Sequence, residues 1–95
     1  MKFEWDEEKS IMNKRKHRIS FEEATAVFED TKAITIYDEE HSEYEERFIV
    51  IGIDLNVREL AVCHCYRGYN DDTIRIISAR KATKNEINLY RRKQT

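Results

Sequence analysis

The sequence predicts an α+β domain in which helices pack on a twisted antiparallel sheet, in the order β-α-α-β-β-β-β-α. Three observations lead there. The first thirty residues carry helix-start signals, the stretch after Asp30 changes to strand-like runs rich in Ile, Val, Tyr and Phe, and a helix-start signal returns near the end.

Residues 1–5, MKFEW, alternate weakly and suit a short edge strand. Asp6 is placed to cap a helix running to about His17, with Glu7 and Glu8 in its first turn and Lys14, Arg15 and Lys16 in its last. Both charge placements favour the helix dipole. Ser20 and Glu23 have the spacing of a capping box, and Ile19 with Ala24 forms the accompanying hydrophobic staple, so a second helix is expected over 21–28. Strands follow at 33–37, 47–53, 59–67 and 73–79, joined by an acidic segment at 38–46 and short turns at 54–58 and 68–72. Short connections between consecutive strands imply an antiparallel meander. Thr83 and Glu86 form a second capping box, opening a helix that carries Ile87, Leu89 and Tyr90 to the C-terminus.

A chain of 95 residues suits one domain, 1–95, and its lack of proline, glycine-rich stretches or repeats shows no linker. No apolar run reaches the length of a membrane span, and the acidic opening MKFEWDEEKS is unlike a signal peptide, so a cytoplasmic protein is expected. The net charge of −2 conceals a split. From Arg67 onward there are eight basic and three acidic side chains, a balance of +5; the first 66 residues hold nine and sixteen, a balance of −7. The basic final third makes a nucleic-acid partner reasonable despite the low average pI.

Cys63, His64 and Cys65 could suggest a metal, but strand alternation sends His64 to the opposite face and no further ligand pair completes a tetrahedral set. No cofactor is expected, and the cysteines read as small buried hydrophobes. Four stretches hold residues able to do chemistry. In the first, Lys14 to Arg18, the cations either stabilise a helix end or contact phosphate, and His17 is a proton donor or acceptor. In the second, 60–67, Ala61, Cys63, Cys65 and Arg67 share one face, and Arg67 ends it in a position suited to bidentate phosphate binding.

The third stretch, IRIISARKAT from Ile74 to Thr83, places Arg75, Ile77 and Ala79 on one face and Ile74, Ile76 and Ser78 on the other. Arg80 falls where the strand stops, beside Ser78 and Lys81, close to a helix N-terminus that itself attracts anions. Whether Arg67 and Arg80 meet depends on register, which the sequence leaves open. The fourth, HSEYEER from His41, reads mostly as a solvated loop in which Glu45 or Glu46 can serve as a base or orient Arg47.

Taken together these stretches resemble the BrnT family. The matching residues are Phe3, Glu4, Trp5, Asp6 and Lys9; Lys16 and His17, then Ile19 to Ala24; His41, Ser42, Glu43 and Glu45 to Phe48; Ile51 and Gly52; Arg67; and 74–83 with Glu86 and Tyr90. The resemblance implies a RelE-like fold and a ribonuclease toxin that inhibits translation and arrests growth. It also implies a BrnA-type antitoxin, whose ribbon-helix-helix domain makes the contact with operator DNA. Where the family usually has Lys-His-Gly, this chain has Arg18 after Lys16 and His17, so the helix loses its terminating glycine, which either shifts the helix end or forces Arg18 into a less comfortable conformation.

Resemblance and residues together imply metal-independent RNA cleavage. Arg67 and Arg80 would stabilise the charged phosphorane, with His17 moving protons and Glu46 behind it. Lys16, Lys81, Lys84 and Ser78 would contact the RNA, and Trp5 either stacks on a base or packs into the core. The acidic balance of the chain also fits a second reading, a toxin-fold module that binds antitoxin or nucleic acid without cleaving.

Overall fold

A computed structural model describes residues 1–94, and its architecture is α+β with a mixed five-stranded sheet. The sequence reading carries the last helix to Thr95, which lies outside the described residues. The strands are β1 (Lys2–Glu4), β2 (Ile34–Tyr37), β3 (Phe48–Ile53), β4 (Glu59–Arg67) and β5 (Thr73–Lys81), in the spatial order β1-β5-β4-β3-β2. The helices are α1 (Glu7–His17), α2 (Phe21–Ala24), which continues as a 3₁₀ turn over Thr25–Glu29, and α3 (Lys84–Arg92).

The meander β2 to β5 is antiparallel as expected, but β1 adds to the edge of β5 in parallel, pairing Lys2 with Thr73 and Glu4 with Arg75. Its direction is set by docking against a strand some seventy residues later, which no local pattern encodes. The capping signals work as read. The Asp6 side chain accepts from the N–H groups of Glu8 and Lys9, and both capping boxes close reciprocally. Helix α1 ends on Arg18 at φ 62°, ψ 28°, a left-handed conformation that glycine would occupy at less cost.

The main core lies between the sheet and the N-terminal helices, where Ile19, Phe21, Ala24 and Val27 meet Val50, Leu60, Val62, Ile74, Ile76 and Ala79. Beyond β1, the edge of β5 would be unpaired, and the buried Asn13 of α1 covers it. Its amide donates to the Ala79 and Ile19 carbonyls at 2.8 and 2.9 Å and accepts from the Ala79 N–H at 3.2 Å. The other sheet face is covered only at one end, where Tyr90 of α3 packs on Ile51 and Ala61 with Ile34, Ile36, Ile49, Ile53 and Ala82 around them.

One irregularity rearranges the face assignments. Strand β5 runs two residues further than expected, and between Cys63 and His64 its register slips. Cys63 faces Ser78, but His64 faces Ile76, leaving Ile77 as a bulge. The bulge puts Ala79 in the core with Ile74 and Ile76, and turns Ser78 and Arg80 to the face of Arg75. This reverses the alternation expected for Ser78 and Ala79, and Arg80 is a strand residue paired with Ala61 rather than a junction residue.

The β3–β4 hairpin carries a second cost. Val57 sits at φ 60°, a region that β-branched residues rarely occupy, while 77% exposed. Asp54 enforces the turn by accepting the N–H groups of Asn56 and Arg58. Val57→Asn is therefore expected to stabilise the fold by about 0.5–1 kcal/mol, because asparagine tolerates the left-handed region and little burial is lost. A higher urea midpoint at unchanged slope checks it.

Candidate functional site

The uncovered part of the second sheet face gathers arginines from four positions. Registered partners share a face, so Arg67 and Cys65 of β4 lie with Arg75 of β5, and Ala61 and Cys63 with Arg80 and Ser78. Arg47, just before β3, joins them through Glu45. That carboxylate accepts from Arg67 Nη2 at 2.7 Å and from Arg47 Nε at 3.3 Å. The Arg67 guanidinium holds the Glu45 carboxyl below its ordinary value, and Glu45 in turn raises Arg67. Arg75 pairs with Glu4 at 2.7 Å.

Arg80 is held differently. Its two terminal nitrogens donate to the two oxygens of Glu86 at 2.7 and 3.0 Å, a bidentate pair with the first turn of α3. Glu86 also accepts the Thr83 N–H at 2.8 Å. The anion position at this helix N-terminus is thus filled by the chain's own carboxylate, which Arg80 holds below its ordinary value.

From β5 the charge continues into a cleft of about 530 Å³ lined by Lys16, His17, Arg18, Arg58, Arg80 and Lys81. All six are basic residue types. Arg58 enters it with its guanidinium bonded to Asp54 and to the Arg18 carbonyl, which closes the cleft against the end of α1. Within this cleft a phosphodiester would meet cations and one imidazole.

Residues 5–86 match the family described as ribonuclease toxin, BrnT, of type II toxin–antitoxin system. The chain belongs to the BrnT family of ribonuclease toxins. No curated protein matches it. A type II toxin such as this BrnT chain has an antitoxin partner. No described helix is long and apolar enough to cross a membrane.

Among the residues singled out by sequence, His17, Lys16, Arg80 and Lys81 come together in the cleft. Ser78 lies two pairs along β5, opposite Cys63, on the same face as Arg80. Arg67 does not join them. Arg80 pairs with Ala61, six residues before Arg67, which is roughly 20 Å along the strand at about 3.4 Å per residue. The two arginines therefore occupy opposite ends of one face.

Glu46 is exposed and makes no hydrogen bond or ion pair among the described residues, whereas Glu45 is the carboxylate tied to Arg67. Lys84 is exposed in the first turn of α3. Trp5 is half-buried, meets Phe21 edge-on at 6.1 Å between ring centres and donates its indole N–H to Glu7 at 3.2 Å. These contacts pack one side of it on the core. His64 is fully buried among Phe28, Phe48 and Tyr66, bonded to the Val62 carbonyl and lowered in pKa by its burial, so it is structural.

The cysteines are free thiols, half-buried and buried, and burial pushes Cys63 up to about 11, with Asp38 adding to the rise. Such thiols are poor nucleophiles.

One group escaped the sequence reading. Asp38, read as part of an acidic linker, is buried beside Cys63 at the edge of the arginine face and bonded to the exposed His41. The signal was there: His41 follows Asp38 by three residues, the spacing that lets a turn bring two side chains together.

Proposed function

We propose that this toxin cleaves RNA without a metal ion, by attack of a ribose 2′-OH on the adjacent phosphate, and so inhibits translation and arrests growth. The observation that carries this reading is the cleft in which His17, Arg80, Lys16 and Lys81 converge with Arg18 and Arg58. Arg80 stabilises the charge that develops on phosphorus, and His17 supplies a proton-transfer group beside it. Arg67 and Arg47, at the far end of the face, contact a different phosphate, and Lys84, exposed in the first turn of α3, steers the RNA backbone. Glu46 has no role in this reading; Glu45 orients the two arginines.

The antitoxin is proposed to be of the BrnA type, covering this surface and carrying the operator-DNA contact through its ribbon-helix-helix domain. A second reading has one observation in its favour. Arg67 and Arg80 are both engaged by carboxylates, as they would be in a module that binds the antitoxin but cleaves nothing.

The test is purified chain incubated with RNA in excess EDTA. Cleavage leaving 2′,3′-cyclic phosphate ends, with a rate that falls steeply as salt rises, is the expected result. Intact RNA at every salt concentration, from a chain that still binds its antitoxin, would favour the binding module instead.

A further inference from the structure

We propose that His41 is the proton acceptor of this ribonuclease and that Asp38 is the residue that positions it. The inference rests on the reading that the chain cleaves RNA, and adds to it the base that His17 alone does not provide.

The geometry is that of an oriented imidazole. Both Asp38 carboxylate oxygens lie at His41 Nδ1, at 3.1 and 3.0 Å. The His41 side chain is 58% exposed, while that of Asp38 is only 10% exposed. A carboxylate at Nδ1 accepts a proton there, so in the neutral ring the lone pair is on Nε2. Among the described residues Nε2 has no hydrogen-bond partner, and it is the nitrogen open to a ligand.

Asp38 is not occupied with the turn it belongs to. A turn aspartate ordinarily bonds its own following N–H groups. Here that work is done by others. The Asp38 N–H donates to the Arg47 carbonyl at 2.8 Å, the Ser42 hydroxyl donates to the Asp38 carbonyl, and the Arg47 N–H donates to the Ser42 hydroxyl at 3.0 Å. Among the described residues the carboxylate keeps two side-chain partners, the His41 ring and the Cys63 thiol, the latter at 3.8 Å. A buried carboxylate holding one face of an exposed imidazole fixes its tautomer and stabilises the imidazolium that forms when it takes a proton.

The surroundings match a phosphodiester substrate. Arg80 of β5 interacts electrostatically with Asp38, Cys63 of β4 bonds to it, Arg47 before β3 joins it through the backbone, and Glu39 and Glu40 are the other charges on its own turn. Arg80 thus both lines the His17 cleft and interacts with the Asp38 carboxylate that holds His41. His41 Nε2 takes the proton of the ribose 2′-OH as the 2′-oxygen bonds to phosphorus. The bond from phosphorus to the 5′-oxygen breaks, and that oxygen takes the proton delivered by His17. The products are a 2′,3′-cyclic phosphate and a 5′-hydroxyl; His41 returns its proton to solvent and His17 takes one up from it, which restores both rings.

The experiment measures single-turnover cleavage of a 5′-labelled mixed-sequence RNA, in EDTA, across pH. The purified chain is compared with its His41→Ala, His41→Gln, Asp38→Asn and Arg80→Ala variants. Removing His41 is expected to slow cleavage at least about 100-fold and abolish the limb of the profile that rises with pH. Added imidazole should restore part of the His41→Ala rate, which a structural role would not allow. Asp38→Asn should fall about tenfold with a displaced profile. His41→Ala takes a partner from the buried Asp38 carboxylate and should melt somewhat below wild type, whereas the His41→Gln amide can still donate to Asp38, so that variant should melt near wild type and stand even if His41→Ala or Asp38→Asn unfolds. Wild-type rates and profiles in both His41 variants, beside an impaired Arg80→Ala, would overturn the assignment of His41 while leaving the ribonuclease reading intact. A wild-type chain that cleaves nothing would overturn both.

Discussion

Replacing Arg80 with alanine is expected to slow RNA cleavage by about 10²–10³-fold, the usual loss when one preorganised donor to a developing oxyanion is removed. The same substitution should also weaken the fold. Glu86 is 11% exposed and loses both of its guanidinium bonds, keeping the Thr83 N–H alone. An unsatisfied, largely buried carboxylate costs about 1–3 kcal/mol. Loss of activity in this variant is thus ambiguous between chemistry and scaffold, and Glu86→Gln separates the two. The glutamine amide oxygen still accepts the Thr83 N–H, while Arg80 remains and is released from its ion pair. Glu86→Gln is expected to lose about 1 kcal/mol in urea unfolding and to keep cleavage within about tenfold of wild type. Equal loss of cleavage in both variants, measured well below their melting midpoints, would make Arg80 a strut for α3 rather than a phosphate ligand.

Asp30→Ala is expected to be the most destabilising exchange of a polar side chain, at about 3 kcal/mol. One carboxylate joins three elements. Oδ2 accepts from the Tyr90 hydroxyl at 2.6 Å and the Ile53 N–H at 3.0 Å, and Oδ1 accepts from the Lys32 N–H at 2.9 Å. Bonds to a charged acceptor contribute roughly 1.5–3 kcal/mol each, and partial exposure of Asp30 discounts the sum. Gly52 makes the approach feasible. A Cβ there would stand 3.0 Å from Val27 Cγ1 and 3.1 Å from Asp30 Oδ2. Because Tyr90 anchors α3 and Glu86 of the same helix holds Arg80, loosening this bond should reach the candidate site as well.

The pH dependence has a definite sign. Burial raises the Asp30 carboxyl, but the bonds from Tyr90, Lys32 and Ile53 together outweigh it and leave the group below its ordinary 3.8. A carboxyl lowered in the folded state stabilises above its unfolded value and loses that contribution as pH falls toward the folded one. Glu23, held at about 2 by the Ser20 N–H of its capping box and by Lys14, acts in the same direction from its ordinary 4.5 downward. Stability should therefore be flat near neutrality and decline from about pH 4.5 toward 2. The deficit of Asp30→Asn at pH 7 should shrink over the lower part of that window. A constant difference across it, by urea unfolding, would show that the charge of Asp30 is immaterial.

Most of the fold was legible in the linear pattern, and the reason is that its determinants are local. Asp6, Ser20 with Glu23, and Thr83 with Glu86 start helices through bonds made within three residues, so spacing alone reveals them. Strand β4 was read to its exact ends because alternating apolar residues mark both faces. The parallel placement of β1, the Asn13 clasp on the β5 edge and the bulge at Ile77 were not legible, since each is a contact between residues far apart in the chain.

The candidate site divides along the same line. Residue types and the family pattern were enough to single out His17, Arg67 and Arg80 and to indicate a ribonuclease toxin. Their arrangement came from register. Simple alternation would have turned Arg80 toward the helix-side core with Ile74 and Ile76, and the one-residue bulge brings it to the arginine face instead. Register also holds Arg67 six residues away along β4, and the fold of the acidic turn sets Asp38 against that face with His41 bonded to it. Capping and alternation are short-range and survive in the bare sequence. Strand register and loop closure are settled by which distant surfaces pack best, so the identity of the chemical groups was written in the chain and their convergence was not.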